Sequence, residues 1–216
     1  MGLWHVFSED WQTECCGEPF AVGDEVSRPL LLAGPGDVLG GGWHDRLTKI
    51  TGLVEDVPDG EGAVRVVREE SGLTVALHDG SAGGEEPGER DGVRAGDRIR
   101  LVGLLSVERH GGEWPEARGR VRAVQLLTRG FVATAPGSRT FEPVPGERSL
   151  RSVEGCPEWF ADRDTGPGPD GRARRRVESA VVVTLDVPGT DSWLSYAVRE
   201  ARGIPHRDAG PGAETA

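Results

Sequence analysis

An alternation of arginine with apolar residues over 93–132 constrains this chain more than any other feature. From Asp97 onward, Arg98, Arg100 and Val102 fall on one side of an extended chain and Ile99, Leu101 and Gly103 on the other, because strand side chains alternate. In a second run, Arg120 and Arg122 alternate with Val121 and Ala123. Pairing the two runs antiparallel across a Gly/Pro-containing loop gathers four guanidinium groups on the outward face of a hairpin. The stretch holds eight Arg against four acids in a chain whose net charge is −11. It is therefore a positive patch on an acidic protein. Its arginines serve either a phosphate or nucleic-acid backbone, or acids on neighbouring strands such as Glu69 and Glu70.

Five strand-like runs follow one another at 48–57, 63–68, 73–78, 98–109 and 120–132. The second and third are joined by Glu-Glu-Ser-Gly, a hairpin turn. Between the third and fourth lies the polar, Gly-rich GSAGGEEPGERDG, an exposed loop by composition. The expected fold is mainly β with little helix: an OB-like small β-barrel over 48–132, with an additional small sheet from the N- and C-terminal strands. The 33 Gly and 15 Pro fit many short strands and turns. The chain then divides into N-terminal strands and a Gly-rich loop (1–47), the barrel (48–132), a Pro/Gly-rich connection (133–176), a C-terminal strand with a short helix packing on the N-terminal segment (177–205), and a disordered tail (206–216). Within the connection, Cys156, Trp159 and Phe160 are expected to plug the barrel, and DRDTGPGPDGRARRR (162–176) to be disordered. Leu194, Ala197, Val198 and Ala201 give the helical spacing, with Asp191 as cap and Gly203 before Pro205 as stop.

Two further patterns stand near the N-terminus. The frame Val22-Gly23-Asp24-x-Val26 recurs as Ala95-Gly96-Asp97-x-Ile99, so one turn-to-strand device is expected twice. Trp4, Phe7, Trp11, Phe20 and Trp43 cluster in the first 43 residues. They mark either the core joining the terminal strands or a surface for another protein. The run HVFSEDWQTECCGEPFAVGDEV, followed by DVLGGGWHDRLTKITG, resembles the start of an uncharacterised family of actinobacterial proteins, a domain of unknown function with the motif EDWQxECCGxPFxVGDxV. That resemblance implies no activity, cofactor or catalytic residue.

Cys15-Cys16 is the sharpest local chemistry. Adjacent cysteines form a strained vicinal disulfide, offer a thiolate to a metal with His44, His5 or Cys156 as co-ligands, or stay as buried thiols. The Cys-x-x-Cys spacing of zinc sites is absent, so no cofactor is expected and zinc is the alternative. His44-Asp45 beside Cys15 or Cys16 is the corresponding nucleophile and base. The Gly-rich 33–45 lacks the P-loop and dinucleotide signatures, and neither a Gly-x-Ser-x-Gly elbow nor a His-Glu-x-x-His helix occurs. The expectation is a non-enzymatic binding or adaptor module contacting another protein. One alternative is single-stranded nucleic-acid binding through Arg98, Arg100, Arg120 and Arg122 with Trp114 as a stacking platform, which the net charge disfavours. The other is a metal- or thiol-dependent enzyme at Cys15, Cys16 and His44. No apolar run approaches the ~20 residues of a membrane span. The first residues lack a secretory signal, so a cytoplasmic protein without membrane contact is expected.

Overall fold

The Gly-Asp frame that recurs in the sequence is one turn built twice. The computed structural model describes residues 2–34, 42–59, 62–69, 72–77, 93–110, 112–189 and 192–202, the side chain of Cys16 excepted. Gly23 (φ 101°) and Gly96 (φ 93°) both take left-handed backbone, which glycine adopts without strain. In each turn the following aspartate reaches back: Asp24 Oδ2 accepts from the Ala21 N–H and Asp97 Oδ2 from the Arg94 N–H, both at 2.8 Å. Glycine N–H and aspartate C=O then bond a single residue of the neighbouring strand, Val121 in the first turn and Val54 in the second. The first turn launches β2 (Glu25–Arg28), and the second launches β7 (Arg98–Val107).

β7 closes a ring with β3 (Leu30–Ala33), β4 (Thr48–Asp59), β5 (Gly62–Glu69) and β6 (Thr74–Leu77). Around the ring the order is β4-β5-β6-β3-β7 and back to β4, antiparallel throughout except for the β3–β6 pair. Alternate side chains point inward, so Leu30, Leu32, Ile50, Val67, Val75, Leu105 and Val107 pack into one buried cluster. Trp4 and Val6 of β1 (Gly2–Glu9) belong to the same cluster, while Phe7, on the opposite face of β1, packs edge-on against Trp43 with centroids 4.9 Å apart.

The expected fifth ring strand at 120–132 is not in the ring, and the hairpin joining it to 98–109 does not form. That run is part of β8 (Ala117–Ala133), separated from β7 by β11 (Ala173–Val187) and β1. β8 pairs instead along 174–186 of β11, where Val121, Val124 and Leu126 share a core cluster with Val181 and Val183. Gly119 makes the close approach feasible, since a Cβ there would sit 2.7 Å from the Asp186 carbonyl. The terminal strands do not make a second sheet either. β1 pairs antiparallel with β11 along its whole length and parallel with β7 at Val6 and Phe7, which welds everything into one 11-stranded sheet.

Two segments expected as connection or disorder are strands: β9 (Phe141–Val153) on β8, and β10 (Asp162–Pro167) on β11. The RARRR run is ordered because acids lie across from it. Arg172 meets Asp170 at 2.7 Å, Arg174 meets Glu147 at 3.2 Å, and Arg175 meets Asp162 at 2.9 Å. Helix α1 (Asp10–Cys16) buries Gln12 and Thr13 and exposes Trp11 and Cys15. Helix α2 (Trp193–Ala201) is capped by Ser192, whose side chain accepts from the Ser195 N–H; Asp191 lies outside the described residues. It docks through hydroxyls more than through its apolar stripe. Ser192 Oγ donates to the Leu3 carbonyl and Ser195 Oγ accepts from the Leu3 N–H, satisfying backbone groups of β1. His78, Asp79, Glu70 and the tail from 206 lie outside the described residues.

Candidate functional site

The four arginines expected on one hairpin face divide into two pairs on strands that do not pair with each other. Arg98 and Arg100 stand exposed on β7, opposite Leu53 and Thr51 of β4. Arg120 and Arg122 stand on β8, and neighbouring acids take them: Arg120 Nη2 lies 3.1 Å from Glu25, and Arg122 donates through Nε (2.9 Å) and Nη2 (2.5 Å) to Asp186 Oδ2. With Arg118 they line a groove of about 510 Å³ between β2, β8 and β11. Trp114 is no stacking platform. It is 8% exposed, covers Val66 and Ala76 on the outside of the ring, and donates its indole N–H to the Leu30 carbonyl at 3.1 Å.

Of the thiol candidates, the side chain of Cys16 lies outside the described residues. Cys15 is exposed on α1, whereas Cys156 is buried with Phe20, Val124 and Val181, where desolvation raises its pKa against the opposing hydrogen bond of Thr13 and the charge of Arg28. The Cys156 segment thus plugs the β8–β11 side of the sheet, not the ring. His44 is exposed beside a buried Trp43, and its neighbour Asp45 pairs with Arg46 and Arg148. Among the described residues no group of three or more His, Cys, Asp or Glu side chains stands close enough to hold a metal ion. His5 faces Arg46 Nη1 at 3.4 Å, and burial, then that cation, lower its pKa from 6.5 to about 4.

The N-terminal aromatics separate by role. Trp4, Phe7, Phe20 and Trp43 are core, and Trp11 alone of the five is exposed. Sequence reasoning missed a second exposed indole: Trp159, expected inside a plug, is 71% exposed. The segment carrying it rests on α1, because the Phe160 N–H donates to Glu14 Oε1 at 3.0 Å. Carboxylates surround this surface. Glu9 Oε2 accepts the Trp11 indole N–H, Asp10 Oδ1 accepts the Trp11 amide, and Glu108 Oε1 accepts the amide of His110, whose ring lies 5.2 Å from Trp11. Desolvation raises the pKa of Glu9 and of Asp10, and hydrogen bonds from Trp11 and the charge of Arg129 pull the other way. Glu158 stands beside Trp159 in the chain, also exposed. A lone Trp in a Pro/Gly-rich run flanked by glutamate was the available signal. A second exposed pair, Trp193 stacked on Tyr196 with centroids 5.9 Å apart, follows from their i, i+3 spacing on the outer face of α2.

These features define a mainly-β domain built on one continuous sheet, with a carboxylate-rimmed tryptophan surface on one helix and an arginine groove at the sheet's edge. Residues 2–187 match the Family of unknown function (DUF6578), and the chain belongs to that family. No curated protein and no solved structure matches it. Among the described residues no helix is long and apolar enough to cross a membrane.

Proposed function

We propose that this chain is a non-enzymatic binding module whose α1 surface takes a Lys/Arg-bearing segment of a protein partner. One observation carries the reading: Trp159 and Trp11 are 71% and 43% exposed in a setting of carboxylates. Tryptophan left in water is the residue type most often found at the energetic centre of interfaces. Carboxylates beside an indole face suit a cation, which gains from the ring quadrupole and from the charge together. An OB-like reading of the ring is supported by its order, a three-strand meander closed through one parallel pair, with the closing strand β3 placed before the meander in the chain. The nucleic-acid reading has less behind it, because Arg98 and Arg100 have the apolar Leu53 and Val102 for exposed neighbours.

The test is titration with an octa-arginine peptide, followed by calorimetry and by indole fluorescence, with an octa-glutamate peptide as control. Saturable binding should weaken about tenfold or more in Trp11→Ala and in Trp159→Ala, the magnitude of an interface anchor. It should be unchanged in Trp193→Ala. Equal binding by all three variants would reduce the interaction to attraction by net charge and sink the proposal.

A further inference from the structure

We propose that the groove between β2, β8 and β11 is a binding site for a small organic anion, a carboxylate or phosphate monoester on an apolar body. Arg118, Arg120 and Arg122 occupy alternate positions of one strand and therefore share one face, and all three line the groove. Their partners differ in a way that leaves two of them available. Arg122 is committed, since two of its N–H groups go to the largely buried Asp186. Arg120 meets Glu25, whose side chain is 79% exposed, and a pair so open to solvent contributes little. A ligand oxyanion can replace Glu25 there at little cost. Arg118 makes no ion pair with any described residue.

The groove also holds an unused donor or acceptor. Ser27, opposite Arg118 in the β2–β8 register, has a hydroxyl buried from solvent without a hydrogen-bond partner among the described residues. Buried polar atoms are nearly always satisfied, so an orphan lining a groove points to a group that comes from outside. Val26 and Pro188 supply apolar wall beside these polar groups. A volume of about 510 Å³ falls in the range of small-molecule sites. Three arginines against Glu25 and Asp186 leave the lining net positive in a chain of charge −11, which selects one oxyanion group over a polyanion. The guanidinium fork matches carboxylate and phosphate oxygens alike, and the apolar wall takes the rest of the molecule.

Calorimetry at low ionic strength with 1-naphthoate, 1-naphthyl phosphate and the neutral 1-naphthalenemethanol decides the matter. One or both acids should saturate one site and the alcohol should not, and the tighter acid identifies the preferred oxyanion. Arg118→Gln and Arg120→Gln should each weaken that acid about tenfold, the worth of a charge-assisted hydrogen bond. Glu25→Gln should tighten it about threefold by removing the internal competitor. These side chains are exposed, so unchanged unfolding midpoints will confirm that each variant folds. Binding of the alcohol as strong as that of the acids, indifference to Arg118→Gln, or failure of both acids to saturate in the millimolar range would each overturn the site.

Discussion

The two Gly-Asp turns share their hydrogen bonds and deliver their strands into opposite company. After Asp97 comes β7, ten residues long, whose Leu104, Leu105 and Val107 are 0–5% exposed in the core. After Asp24 comes β2, four residues long and nowhere fully buried, lying beside the arginines of β8. The turn chemistry sets direction and register, and the neighbouring strand decides whether the product is core or binding groove.

Valine at the turn glycine is the strongest way to break that comparison. An added Cβ meets nothing within 4 Å at either Gly23 or Gly96, and both take left-handed backbone, so the two sites carry the same kind of backbone strain. β7 cannot shift to relieve it without exposing core, whereas β2 can peel. Gly96→Val should cost about 3 kcal/mol in denaturant unfolding and Gly23→Val about 1 kcal/mol. Equal losses would show that β2 is held as firmly as β7. Acidification comes next. β1 lies between β11 and β7 and carries His5, whose folded pKa of about 4 is below its ordinary 6.5. The unfolded chain therefore binds the proton more readily. Stability should be constant above pH 6.5 and fall as pH drops towards 4, by roughly 3 kcal/mol, and this loss should be absent in His5→Gln. If the two neighbourhoods are one cooperative unit, both report the same transition; two separated transitions would divide them. Replacing Asp24 or Asp97 by Ala removes one carboxylate–amide bond in each turn. Each change should cost about 1 kcal/mol, and the double variant should show the sum, since the two turns share no partner. A double-variant loss far from the sum would mean that the turns are coupled.

What was legible in the sequence was local. The paired turns and the strand positions of β4 to β7 follow from short-range patterns of turn residues and apolar spacing. Pairing partners were not legible. Period-2 alternation says which face of β8 is apolar but not whether β7 or β11 will lie beside it, and the longer run of β-branched residues on β11 decides. Arginines at 172–176 looked like disorder for a related reason, since their partners Glu147 and Asp162 come from other strands. Of the candidate residues, Arg120 and Arg122 do share a groove, but with Glu25 and Asp186, which no spacing connects to them. Trp114 failed as a surface residue because its indole N–H has a backbone carbonyl waiting 84 positions away.

β8 is covered along both flanks: by β11 on one side, and on the other by β2, then the Gly23-Asp24 turn at Val121, then β9. Two of the outermost strands are β9, with Pro143, Pro145 and a row of glutamates and arginines, and β10, with Asp162, Arg163, Asp164 and Pro167. A strand from a second molecule approaching either rim would meet missing amide donors and charges it must strip of water. At these two margins the sheet thus resists extension by a strand of another molecule.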